Sequence, residues 1–196
     1  MNAPGADALT SHRDTLLAVQ PTASEHPAFA SVYIERAAGA LSQAGGTGLI
    51  TLLEEQVSAL GELLRGVGAD TAQRGYAPGK WTLAESLVHV ADVERVFAYR
   101  LLRIARGDQT PLAGFDHDAW VPESGASTRE VADILTEIEA VRGATLALVR
   151  TLSDTTVPRV GVSNGNPVSA RALVWMIAGH FDHHLEITRT RYLGGA

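Results

Sequence analysis

The sequence contains no cysteine and only one lysine, Lys80. The absence of cysteine excludes disulfides, thiolate metal ligands and a thiol nucleophile supplied by the chain itself. A bound metal must therefore be held by histidine or carboxylate side chains. No apolar run approaches the roughly 18 residues that a membrane-spanning helix needs, so we predict no membrane partner.

Positive charge is also scarce, since the net charge is −6 and the isoelectric point is about 5.6. An acidic surface matches the phosphate backbone poorly, and we predict no nucleic-acid partner. The first twenty residues carry charges and no continuous apolar stretch, which argues against a signal peptide and favours a cytoplasmic location. Hydrophobic residues make up 45% of the 196 residues, as in ordinary globular proteins.

Four long segments have the three-to-four-residue apolar spacing of amphipathic helices. The predicted ranges run from Leu49 to Leu64, from Thr82 to Ile104, from Ser127 to Leu152, and from Asn166 or Ser169 to about Tyr192. Val157 to Val162 is the stretch most suited to a strand, but Pro158 and nearby glycines favour a loop.

Two of these helices begin with the spacing of a capping box, in which a Ser or Thr precedes a Glu by three residues. One box is Thr82 with Glu85, and the other is Ser127 with Glu130. A shorter segment, Pro27 to Gln43, also has helical character.

The sequence thus predicts an all-α protein: an antiparallel four-helix bundle with a short N-terminal accessory helix and a mobile N-terminal extension. We assign residues 1–26 to the flexible extension and residues 27–196 to the bundle domain.

Three of the seven histidines lie together in the last helix, as HFDHH. His180 and His184 are four residues apart and therefore point the same way, along the apolar line of the helix. This spacing suits two imidazoles on one metal ion, although such a pair can also be satisfied by side chains or water. His183 lies about one residue off the apolar line, which favours a place at the rim.

A metal site in a bundle needs ligands from facing helices. His89 is such a candidate in the second helix, with Glu85 and Asp92 near enough to orient its ring. The alternative is a partly buried histidine that is paired to one of these carboxylates without a metal. In the loop that follows this helix, His117 lies between Asp116 and Asp118, where a solvated surface residue is the common case.

The sequence resembles the DinB-like superfamily of metal-dependent enzymes between about Pro27 and Tyr192. The resemblance is carried by YAPGKWTLAESLVHVADVERVFAYRLLRIARGD, by TPLAGFDHDAW and by PVSARALVWMIAGHFDHHLEITRTRYL. It implies a four-helix bundle, often dimeric, and metal ligation by His89, His180 and His184. It also implies a place among stress-response and DNA damage-inducible proteins, some of which are thiol-dependent S-transferases or thiol-dependent maleylpyruvate isomerases.

From this resemblance we expect a divalent metal, with zinc or nickel preferred and iron or manganese as alternatives. We expect a homodimer whose site presents a small-molecule thiol to an electrophile, with His183, Asp116 and Asp118 as catalytic proton carriers or as pocket residues. The alternatives are a non-catalytic metal-binding stress-response protein and a metal-dependent hydrolase. Arg95 and Arg171 are candidates for holding an acidic cosubstrate, and Phe115 and Trp120 for the wall of an apolar pocket.

Overall fold

Five long helices and one β-hairpin make up the part of the fold that the structure describes. The computed structural model describes Thr15 and residues 17–45 and 47–194. The helices are α1 (Ser31–Gln43), α2 (Leu49–Leu63), α3 (Leu83–Ala105), α4 (Val131–Val149) and α5 (Ala170–Ile187). The strands are β1 (Val160–Ser163) and β2 (Asn166–Ser169). Short helical turns lie at Ala28–Ala30, Ala69–Ala72, His117–Trp120, Val121–Glu123, Ala126–Thr128 and Thr188–Tyr192.

Helices α2 to α5 form the bundle and α1 packs along α5, so the predicted all-α four-helix architecture is confirmed. The centre of the core lies where α3 and α5 face each other, with Leu101, Leu173 and Ile177 almost fully buried. Within the described ranges, each helix is too short or too polar to cross a lipid bilayer.

The predicted start of α3 is confirmed in atomic detail. Glu85 N donates to Thr82 Oγ1 at 3.1 Å, and Thr82 N donates to Glu85 Oε2 at 2.7 Å. The second predicted capping box is wrong, because α4 begins only at Val131 and Ser127 lies in a separate helical turn. Arg129 between them is extended, and its guanidinium pairs with Glu137 at 2.5 Å.

The β-hairpin corrects the prediction of a loop at Val157 to Val162. Strands β1 and β2 pair antiparallel across Asn164 and Gly165, which have φ angles of 50° and 73°. A two-residue turn with positive φ at both positions favours the dipeptide Asn-Gly, so the signal was present in the sequence. The last helix therefore begins after Ser169, whose Oγ accepts from Ala172 N at 2.9 Å, and not at Asn166.

The segment before α1 packs on the start of α5. Leu17 is fully buried and its carbonyl accepts from Trp175 Nε1 at 2.8 Å, while Arg171 pairs with Glu25 at 2.7 Å. Residues 1–14 and 16, which make up most of the predicted extension, lie outside the described residues. The division of the chain at residue 26 stays a prediction.

A buried ion pair joins the helices in the middle of the bundle. Arg142 of α4 donates from Nε and Nη2 to the two carboxylate oxygens of Glu94 on α3, each at 2.8 Å. Its Nη1 donates to Leu53 O and to Gln56 Oε1 on α2. Gln56 Nε2 in turn donates to Ala178 O on α5 at 2.8 Å. One arginine thus connects all four helices of the bundle.

We predict that Glu94→Ala lowers the free energy of unfolding by about 3–5 kcal/mol, because it leaves the Arg142 guanidinium charged and buried without its partner. The measurement is urea unfolding followed by circular dichroism. Glu54→Ala is the matched control, since Glu54 pairs with Arg150 on the surface and should cost less than about 1 kcal/mol. Equal losses in the two variants would contradict a structural role for the buried pair.

Candidate metal centre

Three imidazoles from two helices converge inside the bundle. His89 lies on α3, and His180 and His184 lie one turn apart on α5. One ring nitrogen from each lies within 4.8 Å of the others, and His89 Nε2 is 3.2 Å from His180 Nε2. Two nitrogens bound tetrahedrally to one zinc at about 2.0–2.1 Å would be about 3.3 Å apart. The His89–His180 distance matches this value, and all three nitrogens lie close enough together to share a single divalent ion.

Burial keeps these rings uncharged. His89, His180 and His184 are 7%, 5% and 9% exposed. Desolvation, reinforced by the neighbouring imidazoles, lowers the pKa of His89 to about 4 and lowers the pKa values of His180 and His184 well below their usual range. A neutral imidazole offers its nitrogen lone pair to a metal without first losing a proton. The donor set thus has the chemistry of a metal site as well as its spacing.

A hydroxyl, and not a carboxylate, orients one of the rings. Ser86 Oγ lies 3.1 Å from His184 Nδ1. In the tautomer in which Nδ1 donates to this hydroxyl, the Nε2 lone pair of His184 is available to a metal. The predicted carboxylate partners of His89 are engaged elsewhere. Glu85 closes the capping box of α3, and Asp92 accepts from Arg95 at 3.2 Å. Ser86 is three residues before His89 on α3, so helical spacing could have identified it.

A glycine brings α1 against the histidine helix. A Cβ atom at Gly179 would lie 1.8 Å from Tyr33 O, so no larger residue fits at this helix crossing. The contact places the Tyr33 ring edge-on to His180, at 5.4 Å between ring centroids, and 6.1 Å from the ring of His183. The accessory helix therefore forms one wall of the site.

Two cavities meet at the histidines, and His89, His117 and Tyr33 line both. One cavity, of about 330 Å³, is polar. The other, of about 260 Å³, is mainly apolar. Polar side chains around the first include Lys80, Ser86, Asp118, His183 and Tyr192. Apolar side chains around the second include Val93, Phe97, Phe115, Leu173 and Met176.

Of the three residues predicted to carry protons, His183 and Asp118 line the polar cavity and Asp116 does not. His183 lines the cavity, and its buried Nδ1 has no hydrogen-bond partner among the described residues. Asp118 also lines it and is largely exposed. Asp116 Oδ1 accepts from Asp118 N and Ala119 N, which caps the short helix that carries His117. Catalytic roles for these residues stay predictions.

The loop after α3 covers the site through His117 and Phe115. The His117 ring is 5.3 Å from the His89 ring and half exposed, so this histidine reaches the site instead of lying apart from it. Phe115 lines the apolar cavity as predicted, and Trp120 stacks on it at 4.9 Å between ring centroids.

The two arginines proposed from the sequence do not line either cavity. Arg95 pairs with Asp92 and Glu137, and Arg171 pairs with Glu25. The arginine that does line the apolar cavity is Arg100. Sequence reasoning missed it, although it follows His89 at helical spacing through Val93 and Phe97.

This bundle, with three neutral imidazoles clustered in its core, belongs to the class of helical-bundle proteins that have a histidine site suited to a metal ion. The sequence profile of the DinB superfamily matches residues 52–188, and the chain belongs to that superfamily.

The chain is similar to a protein of Oceanobacillus iheyensis and to a solved structure from Bacillus subtilis. A protein of Oceanobacillus iheyensis, OB0413, provisionally named a metal-dependent hydrolase, is 23% identical over 135 residues, which are 68% of this chain and 77% of that protein. The solved structure of YfiT from Bacillus subtilis, described as a probable metal-dependent hydrolase with an unusual four-helix bundle topology, matches with a TM-score of 0.69 and 20% identity. The match covers 91% of this chain and 95% of YfiT, and it shows the shared fold.

We predict that the metal-free protein loses stability on mild acidification. Because the pKa of His89 is about 4 in the folded state and about 6.5 when unfolded, the unfolded chain takes up the proton first as pH falls. The stability that comes from burying a neutral His89 ring is therefore fully present above about pH 6.5 and is lost as the pH falls towards 4. Protonation of His89 in the unfolded chain should by itself lower the free energy of unfolding by about 2 kcal/mol between pH 7 and pH 5.

Urea unfolding of chelator-treated protein at the two pH values measures this loss, and His89→Ala should reduce it. The pKa values of Glu25 and Glu137 are lowered below 4.5. Their carboxyl groups therefore take up protons mainly below pH 5 and add little to the loss of stability between pH 7 and pH 5. A wild-type stability that is the same at pH 7 and pH 5 would contradict the buried, neutral state of the histidines.

Proposed function

We propose that this protein is a divalent-metal-dependent enzyme that uses water as its nucleophile, a hydrolase in the broad sense. The observation that carries the proposal is the convergence of His89, His180 and His184 on one point, with their ring nitrogens within 4.8 Å of one another. The names of OB0413 and YfiT, which both refer to metal-dependent hydrolases, support the reaction class.

Three protein ligands leave one position of a tetrahedral site open, as in catalytic zinc sites. A divalent ion held there, with zinc or nickel preferred and iron or manganese as alternatives, would supply Lewis-acid activation of a nucleophile or a carbonyl group. The chain's contribution is to hold the three rings in fixed positions. Ser86 orients His184, and the contact of Tyr33 at Gly179 closes the site on the side of α1.

His183 is the residue best placed to move a proton. Burial and the nearby positive charge of Arg36 lower its pKa, so the ring is neutral at pH 7 and can accept a proton. Its buried Nδ1 has no partner among the described residues. Asp118, at the exposed mouth of the polar cavity, would pass the proton to solvent. Asp116 acts as a positioning residue, because its side chain caps the short helix that carries His117.

Transfer of a small-molecule thiol to an electrophile is the second candidate. The specific observation in its favour is the pair of cavities that meet at His89, because a two-substrate reaction needs a separate place for each substrate. The thiol must come from outside, since the chain has no cysteine. The polar cavity with Lys80 suits a hydrophilic thiol, and the apolar cavity suits the electrophile.

We predict that purified protein loaded with zinc or nickel retains about one equivalent of metal per chain. His89→Ala and His184→Ala should each lower the metal affinity at least about tenfold, because two imidazoles remain where three are needed. Elemental analysis after dialysis measures the retained metal. His26→Gln is the control, since His26 bonds to Pro27 O outside the site. Undiminished metal in both alanine variants would remove the proposed ligand set.

We predict that His183→Asn keeps its metal but lowers kcat about 100-fold or more, the usual contribution of a general base. The assays are hydrolysis of an ester panel and conjugation of small thiols with monochlorobimane, each with metal-loaded protein. The pH profile of the residual activity should lose its lower pKa in the variant. Full metal occupancy without turnover in either assay would favour a metal-binding protein without catalysis.

A further inference from the structure

Arg100 is a buried arginine without a carboxylate partner in the described part of the chain. Its side chain is 7% exposed and lines the apolar cavity. Its Nη2 donates to Ala113 O at 2.9 Å, and its Cζ lies 5.2 Å from the centre of the Phe115 ring. Among the described residues, no carboxylate forms an ion pair with it. A guanidinium has five N–H donors and stays charged, so most of its hydrogen-bonding capacity is left for another molecule.

Two other arginines with little exposed surface, one buried and one partly buried, show what Arg100 lacks. Arg142 holds Glu94 with two hydrogen bonds, and Arg171 pairs with Glu25. A buried charge is costly unless it is paired. The exception at Arg100 coincides with a cavity, where a ligand can bring the missing negative charge.

A second polar group in the same cavity, the Ser163 hydroxyl, also lacks a hydrogen-bond partner within the described ranges. Ser163 of β1 is 7% exposed, lines the cavity with Arg100, and its buried Oγ makes no hydrogen bond to the described residues. The segments that carry the two groups are joined by hydrogen bonds. Leu112 N donates to Val162 O beside Ser163, and Ala113, the next residue, is the carbonyl that Arg100 holds.

The apolar cavity extends from Arg100 and Ser163 to the histidines. His89, Val93, Phe97 and Arg100 follow one another at helical spacing on α3, and all four line it. Eleven residues separate Arg100 from His89, which is about 16 Å along the helix axis. Helical side chains lean towards the N-terminus, so the Arg100 side chain leans towards His89. The distance left between them suits a small molecule with an apolar middle.

We propose that Arg100 and Ser163 bind the carboxylate of a substrate whose apolar body fills the cavity and whose opposite end reaches the histidines. This inference rests on the proposed function, and it names the substrate class as small amphipathic carboxylates. A monoanion fits because Arg100 is the one arginine or lysine among the described residues that line this cavity. A planar carboxylate accepts two guanidinium N–H bonds at once and leaves a lone pair for the Ser163 hydroxyl.

The test uses 3-phenylpropanoate and its neutral isostere 3-phenylpropanamide as probes, with binding to the full chain measured by calorimetry. Metal is removed with a chelator so that the carboxylate cannot bind an ion at the histidines. We expect wild type to bind the carboxylate at least about tenfold more tightly than the amide, as charge-assisted hydrogen bonds provide. Arg100→Gln should abolish this preference, and Ser163→Ala should reduce it.

Arg106→Gln is the matched control, because Arg106 follows α3 on the surface, where it bonds to Thr151, and should keep the preference. Arg100→Lys retains a positive charge and should keep part of the preference, which guards against a folding defect in Arg100→Gln. Absence of binding to wild type, equal binding of the two probes, or an unchanged preference in folded Arg100→Gln would overturn the proposal.

Turnover assays with metal-loaded protein, combined with this titration of metal-free protein, separate the two levels of inference. If the protein shows no metal-dependent turnover but metal-free protein prefers the carboxylate through Arg100, the subsite stands and the proposed function fails. If turnover occurs but Arg100→Gln leaves both carboxylate preference and KM unchanged, the enzyme stands and the subsite fails.

Discussion

The buried ion pair between Arg142 and Glu94 is the interaction on which the arrangement of the bundle depends. It joins α4 to α3, and through Gln56 it reaches the carbonyl of Ala178 on α5. Ala178 lies two residues before His180, and Glu94 lies five residues after His89, so the network supports the two ligand-bearing helices just beside the site. A directional, charged contact specifies one rotation and one height of each helix, whereas apolar packing alone tolerates several.

The histidines are held in a state that favours metal over protons. Burial at the junction of α3 and α5 lowers their pKa values, which costs stability in the metal-free protein as the pH falls. The same burial presents three neutral nitrogen donors at a spacing that a divalent ion satisfies. Metal binding and folding are thus expected to be coupled in this protein.

The parts outside the four-helix bundle build the surroundings of the site. Helix α1 closes one side through the contact of Tyr33 with Gly179, and the loop after α3 brings His117 and Phe115 over the histidines. The β-hairpin contributes Ser163 to the far end of the apolar cavity. Elements that a bundle does not need for its own core therefore give the two cavities their different polarity.

The sequence by itself determined the helical bundle and the capping box at Thr82, and it predicted His89, His180 and His184, whose rings the structure brings together. Periodicity and spacing are local properties, and the family motifs run along the chain. Only the tertiary structure decided which carboxylates pair with other groups, and that Arg100 has no carboxylate partner among the residues described. Pairing and desolvation depend on distances between elements far apart in sequence, which no local pattern encodes. The hairpin with its turn at Asn164-Gly165 is an intermediate case. Its turn signal is local in the sequence, whereas its packing beside α3 depends on the tertiary structure.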